Sequence, residues 1–346
     1  MRTLCILDLT FKIFMEEPKK VAVIGGGSFA TALVKILCNT QDKVYWWMRN
    51  AEALEHIQMY GHNPNYLSSA DLDVKKLYLS NDLEHVIDLA DFIVLATPSA
   101  FLTSLFEGKD IKNLDKKIFV STIKGIIPET QEIPADFIKR VFGVPYERIA
   151  MICGPCHAEE VAMEKLSYLT IACPNEEIAK TFAAMMSCRY VNTSTSDDLF
   201  GTEISAILKN IYALAAGICH GLGYGDNFQS VLISNAVQET KRFIDAVHPI
   251  NRDVSSSAYL GDLLVTAYSQ FSRNRVFGNM IGKGYSVRSA QLEMNMIAEG
   301  YYAVKSVHEI NKKHQAEIPI VDAVYRILYE KVPPSLEMKL LTKKLN

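Results

Sequence analysis

Apolar residues fall into two textures along the chain. Up to about residue 195, short apolar runs recur between polar stretches: Val21–Ile24, Val44–Met48, Leu77–Leu79, Phe92–Thr97, Ile118–Thr122, Ile149–Ile152, Tyr168–Ala172 and Tyr190–Thr193. Each is too short for a helix, and turn formers such as Pro98–Ser99 and Lys124–Gly125 close them, which marks strands buried on both faces. Helical patterns lie between, such as Asn81–Ala90, for which Asn81 or Asp82 is the cap candidate. Alternating strands and helices predict an α/β fold with a doubly wound, mostly parallel sheet.

After Asp197 the strand pattern stops. Helical periodicity predicts Gly201–His220, Ser230–Val247, Leu260–Arg273, Ser289–Lys312 and Ile320–Glu330, joined by loops rich in Gly, Asn and Ser. The expected organisation is a leader over 1–18, a nucleotide-binding domain over 19–197 and an all-helical domain over 198–346 that carries substrate and catalysis. The leader interrupts its apolar residues with Asp8 and Lys12 and is too short and charged to span a membrane. It is expected to be dispensable, with Met15 as the functional start.

The first strand runs into Gly25, Gly26 and Gly27, and a helix follows through Cys38. Gly25, Gly27 and Ala30 fit the G-x-G-x-x-G/A fingerprint of a Rossmann dinucleotide site. The first glycine permits the turn, the second admits a pyrophosphate, and the small third residue lets helix and strand pack. The helix-start amides near Ser28 and Phe29 then face an anion. Past the second strand an NAD site would carry Asp or Glu, but here stand Trp47, Met48 and Arg49. With a guanidinium available for a 2′-phosphate, NADP(H) is expected to be accepted, alongside NAD(H); the alternative is that Arg49 is a solvated surface residue.

The 346 residues are 49% hydrophobic and 22% charged with a net charge of −3, an ordinary globular balance with no general attraction to nucleic acid or anionic membrane. An anionic ligand would need a local basic cluster. Seven cysteines form an odd set without scaffold spacing, several in apolar runs, and read as reduced thiols of a cytoplasmic protein.

Gly201–His220 is apolar almost all round and contains Lys209 and Asn210, and Asn210, beside the lysine, is expected at the substrate. A lysine there is costly to desolvate unless paired, and burial favours its neutral form, which makes it a usable general acid or base near neutral pH. The alternative is a lysine that snorkels to the surface. In Leu260–Gly278, Asp262, Thr266 and Arg273 share one face if the helix is continuous. They could then orient the lysine and bind a phosphate, with Ser272 and Asn274 adding hydrogen-bonding groups; the alternative is a solvated polar face. Cys153–Gly154–Pro155–Cys156–His157 matches a C-x-x-C redox motif and a haem attachment motif. Haem attachment requires export, which nothing else in the chain supports. Thiol redox chemistry is a competing use of the site.

Taken together, GGGSFATAL, STIKG, GPCHAEEVA, LKNIYALAAGICHGLGYGDN, GDLLVT, SRNRVFG and AEGYYAVKSV resemble NAD(P)-dependent glycerol-3-phosphate dehydrogenases of the bacterial type. The resemblance runs from about Val21 to Glu330. It implies that Lys209 is the proton donor and acceptor, with Asp262 holding it. It implies substrate contacts at Lys124, Gly154, Cys156, Asp262, Ser272, Arg273 and Asn274, and cofactor contacts at Ser28, Phe29, Arg49, Lys124, Ala158, Arg273, Ile297 and Glu299. The expected reaction interconverts dihydroxyacetone phosphate and sn-glycerol 3-phosphate for phospholipid synthesis. No metal is expected, the partner is a small phosphorylated substrate rather than a nucleic acid or a membrane, and a homodimer is the assembly we consider. Rival functions are reduction of a β-hydroxy acid and non-catalytic regulation by NADP binding. Three positions depart from the family pattern: Cys156 where Ser or Thr is usual, Phe29 for Trp or Tyr, and Tyr259 at a site usually small.

Overall fold

A computed structural model describes residues 19–109, 111–294 and 298–346. The leader and Ile297 lie outside the described residues. The first part of the chain runs β1 (Val21–Ile24), α1 (Ser28–Leu37), β2 (Val44–Trp47), α2 (Ala51–Tyr60), β3 (Leu77–Ser80), α3 (Leu83–Leu89), β4 (Phe92–Leu95), α4 (Leu102–Phe106), β5 (Ile118–Ser121), α5 (Pro134–Phe142), β6 (Ile149–Cys153), α6 (Ala158–Ala162), β7 (Ser167–Ala172), α7 (Glu176–Met186) and β8 (Val191–Ser196). The strands form one sheet in the order β3-β2-β1-β4-β5-β6-β7-β8. The order in which strands are added across the sheet reverses between the parallel strands β1 and β4, which opens a crevice at their carboxyl ends, where α/β sheets bind ligands.

Successive strand residues serve opposite faces. Val21, Val23, Val94, Val120 and Ile152 pack on one side with α1 and α7, while Ala22, Ile24, Leu95, Phe119 and Met151 pack on the other and share a core with the C-terminal helices. Burial on both faces explains why the strands read as unbroken apolar runs.

The sheet is parallel from β3 to β6, then β7 pairs antiparallel with β6 and parallel with β8, so the last two strands are inverted. The β6–β7 connection contains only α6, five residues long, or about 7.5 Å of helix. The chain turns back beside β6 instead of crossing to the opposite end of the sheet, so β7 runs against β6. Gly154 makes the return possible: its φ is +111° and a Cβ there would lie 2.8 Å from the Tyr168 carbonyl oxygen.

The second part is helical: α8 (Leu199–Gly221), α9 (Asp226–Val247), a π-turn over Ser257–Gly261, α10 (Asp262–Tyr268), α11 (Arg273–Gly282), α12 (Val287–Glu293), α13 (Glu299–His314), α14 (Pro319–Leu328) and α15 (Pro334–Leu341). Among the described residues α8 is the one helix long and apolar enough to cross a membrane, and here it is the buried axis of the other helices. A Cβ on Gly217 or Gly278 would overlap backbone of the facing helix, so α8 and α11 approach backbone to backbone.

Two expected helices are each divided. Leu260–Arg273 is not continuous: α10 stops at Tyr268, and Arg273 begins α11. Asp262 and Thr266 keep one face, but helical spacing does not bring Arg273 to it. The serines cause the break, because Ser269 Oγ accepts from Phe271 N at 3.1 Å and Ser272 Oγ accepts from Arg275 N at 3.3 Å, a local competitor to the helix ladder and then a cap for the next helix. Likewise Ser289–Lys312 is two helices, α12 and α13, with Met294 and Ala298 outside both.

Candidate active site

The glycine loop is built for close approach. Gly25 has φ +136° and a Cβ there would overlap the Ala96 carbonyl oxygen at the end of β4, so the first glycine lets two parallel strands and the turn coexist. Trp46 Nε1 donates to Gly25 O at 2.7 Å, and Asn63 Nδ2 donates to Gly26 O at 3.1 Å and to Thr31 Oγ1 at 2.8 Å, which holds the loop from behind. Gly27 is the N-cap of α1 with no side-chain cap, and a Cβ there would meet nothing within 4 Å. Uncapped first-turn amides beside open space suit a pyrophosphate. Ser28 and Phe29 open α1, and Ala30 is buried beneath it. Arg49 is exposed just past β2, and Ala158 is the first residue of α6.

Lys209 lies halfway along α8, 5% exposed, and its Nζ donates to Asp262 Oδ1 at the start of α10, itself 2% exposed. Lys124 Nζ lies 3.7 Å from Asp262 Oδ2, with its side chain 20% exposed, and 5.5 Å from the centre of the Phe29 ring. Lys124 therefore stands between the glycine loop and the buried pair. Two lysines and one carboxylate leave a local positive charge in an acidic protein, the cluster that an anionic substrate needs.

Burial lowers the Lys209 ammonium to about 7, with Asp262 pulling it up and Lys124 pushing it further down. Burial would raise the Asp262 carboxyl, yet Lys124 and Lys209 outweigh it and hold it ionised. Lys124 is likewise desolvated, but Asp262 carries its pKa above the ordinary lysine value. One lysine thus keeps its charge while its neighbour titrates near neutrality, the condition for a proton donor and acceptor.

Asn210 Nδ2 donates to the Lys124 carbonyl at 2.8 Å, Asn274 Nδ2 donates to Asn210 Oδ1 at 2.9 Å, and Gly300 N donates to Asn274 Oδ1 at 2.9 Å. The two asparagines, expected at the substrate, join the β5 loop, α8, α11 and α13 into one frame. Thr266 Oγ1 donates to the Asp262 carbonyl at 2.6 Å, so its hydroxyl serves its own helix. Ser272 is buried at the N-cap of α11, and Arg273 is exposed beside it. Glu299 Oε2 accepts from Ser99 Oγ at 3.0 Å; burial raises its carboxyl against the pull of Ser99 and Arg273.

Gly154 and Cys156 follow β6 and are buried. Burial pushes the thiols of Cys153 and Cys156 up to about 12, opposite to the lowering that a reactive thiol needs. Cys153 Sγ donates to the Thr170 carbonyl across the β6–β7 pair. Sequence reasoning missed Trp46, Asn63 and Ser99 as supports of the site. Asn63 stands in a polar loop between His62 and Pro64, and neither it nor the others carries a local signal of its partner.

A Rossmann-like sheet joined to a helical bundle that supplies a buried lysine–aspartate pair is the arrangement of a class of nicotinamide-dependent dehydrogenases. Within that class, residues 20–179 match the N-terminus and residues 198–339 the C-terminus of NAD-dependent glycerol-3-phosphate dehydrogenase, and the chain belongs to this family. A Staphylococcus carnosus protein named glycerol-3-phosphate dehydrogenase (NAD(P)+) is 33% identical over 323 residues, covering 93% of this chain and 97% of its own length. The solved structure of glycerol-3-phosphate dehydrogenase from Coxiella burnetii aligns with a TM-score of 0.85 at 27% identity, covering 94% of this chain and 98% of that one. A ketopantoate reductase from Ralstonia eutropha, 16% identical with a TM-score of 0.58 over 92% of this chain and 99% of its own, shares the fold.

Proposed function

We propose that Lys209 is the proton donor and acceptor of a glycerol-3-phosphate dehydrogenase that interconverts dihydroxyacetone phosphate and sn-glycerol 3-phosphate with NADPH or NADH. The observation that carries this is the buried Lys209–Asp262 pair with Lys124 beside it, facing the glycine loop. Gly25, Gly27, Ser28, Phe29, Arg49, Ala158 and Glu299 would hold the cofactor. When bound, it supplies or accepts the hydride at the substrate's central carbon.

In the reductive direction the Lys209 ammonium gives its proton to the carbonyl oxygen as an alkoxide develops, and in the oxidative direction the neutral amine takes the hydroxyl proton. Asp262 orients the amine and stabilises its charged form. Lys124 and Arg273 neutralise the phosphate dianion, with Ser272 and Gly154 at its edges. Asn210 and Asn274 act by holding Lys124 to α8.

The division at residues 197 and 198, a cytoplasmic location, a homodimer and the role in phospholipid synthesis belong to the same proposal. The deciding experiment is the initial rate of NADPH oxidation with dihydroxyacetone phosphate. Turnover of a β-hydroxy acid substrate in its place, or tight NADPH binding without turnover of any ketone, overturns the assignment.

A further inference from the structure

Tyr259 stands in the π-turn three residues ahead of Asp262, and its side chain is buried. Its hydroxyl donates to Asp198 Oδ2. Asp198 is the N-cap of α8, where its Oδ1 accepts from Gly201 N at 2.9 Å, so the residue that starts the Lys209 helix also anchors the turn that delivers Asp262. Arg252 completes the group: Nε donates to Asp198 Oδ2 at 2.8 Å, while its terminal nitrogens donate to Asp245 Oδ1 at 2.5 Å and the His248 carbonyl at 2.8 Å. Tyr259 lines one small cavity with Lys209, Ser205 and Leu263. The tyrosine thus meets the helix of Lys209 twice, through the Asp198 cap and through a cavity that it lines together with Lys209.

We propose that Tyr259 is a positioning residue for proton transfer: its hydroxyl bond to Asp198 and its ring hold the Asp262-bearing turn against Lys209, and so set the proton affinity of Lys209. The proposal rests on the reading of Lys209 as proton donor and acceptor. The physical argument is that the Asp262 carboxylate stabilises the Lys209 ammonium in a desolvated site, where a small loss of contact changes the interaction strongly. A phenol donating to a carboxylate makes a charge-assisted bond, stronger than a neutral one and directional. Burial raises the Asp198 carboxyl, but Arg252, Tyr259 and the Gly201 amide together hold it ionised, so the acceptor keeps its charge through the working pH range.

Other groups face Lys209 as well. Lys124 approaches from the loop after β5, and Cys153, Cys156 and His157 lie on and after β6. Burial keeps both thiols protonated to about 12. It also lowers the His157 imidazole below its ordinary value, helped by Lys209 and Lys124. On α9, Glu239 faces Tyr212 rather than the lysine. Burial pushes the Glu239 carboxyl up to about 8, but its oxygens accept from Ile320 N at 2.9 Å and Val321 N at 3.0 Å at the start of α14 rather than from the reacting groups, so a neutral-range midpoint in kcat reads Lys209, and Asp262 and Lys124 are the charges that set it.

Tyr259→Phe removes the hydroxyl and leaves the ring. We expect kcat for reduction of dihydroxyacetone phosphate to fall about 3- to 10-fold with KM within about twofold of wild type. The midpoint of the kcat–pH profile should move down by at least about half a unit, because a loosened Asp262 stabilises the ammonium less. Asp198→Asn, which keeps a cap oxygen but weakens the acceptor, should move the midpoint the same way. Thermal melting of each variant is measured alongside. A midpoint that stays put in both variants overturns the proposal, whether or not kcat or the melting temperature falls. If instead the wild-type profile has no neutral-range midpoint, or Lys209→Ala remains active, it is the Lys209 assignment that fails.

Discussion

The Asn210 side chain donates to the Lys124 carbonyl at 2.8 Å, a bond that reaches from the helix carrying Lys209 back to the loop after β5. It fixes the height of one lysine against the other. Asn210→Ala would leave the Lys124 carbonyl and Asn274 Nδ2 without these partners, and a buried unpaired polar group costs about 1–3 kcal/mol. We expect a melting temperature several degrees lower and a raised KM for dihydroxyacetone phosphate. A variant as stable as wild type with unchanged KM would show that the frame does not position Lys124.

Lys209 titrates at about 7 in this environment, which gives the two directions opposite pH dependences. Reduction needs the ammonium, so its kcat should fall as pH rises through about 7. Oxidation needs the free amine, so its kcat should rise through the same range. Lys209→Ala should lose about 10²–10⁴-fold in both directions, with cofactor affinity by fluorescence titration nearly intact. More than about a tenth of the wild-type rate in this variant would remove Lys209 from the mechanism.

Gly25 and Gly27 should fail differently when changed to alanine. At Gly25 the new methyl would overlap the Ala96 carbonyl at a φ of +136°, and backbone strain alone costs about 1–3 kcal/mol, so melting temperature falls. At Gly27 the methyl meets open space where a pyrophosphate would lie. The protein should melt as wild type yet bind NADPH at least about tenfold more weakly. Undiminished binding by Gly27→Ala would move the pyrophosphate elsewhere.

Arg49→Glu should weaken NADPH far more than NADH, since the new carboxylate repels a 2′-phosphate and can accept from a free 2′-hydroxyl. The comparison is kcat/KM for the two cofactors. Equal losses would show that Arg49 does not read the 2′-position.

Cys156→Ser should preserve or raise kcat/KM, because a hydroxyl donates a stronger hydrogen bond than a thiol and the raised thiol pKa leaves little thiolate. Rates should be insensitive to dithiothreitol. Loss of activity in this variant, reversed by no reductant, would restore sulfur to the chemistry.

Much of this protein was legible along the chain because the deciding physics is local. Buried strands must be short apolar runs, a phosphate turn must carry glycine, and a lysine in an apolar helix must find a counter-charge. Val21–Ala30, Lys209 and Asp262 follow from those constraints, as does the change from strands to helices after Asp197. Four features were not read from periodicity, two of them set in the turns between elements and two by contacts distant in sequence. The inversion of β7 and β8 begins at the turn after β6, where Gly154 takes a φ of +111°. The break before Arg273 is set by two serine hydroxyls that compete with the helix ladder. The asparagine frame exists because glycines bring α11 within reach of α8, and the Tyr259–Asp198 bond closes 61 residues of chain. Periodicity reports which face of an element is apolar, but it holds no information on which distant group a polar side chain will meet once those faces pack.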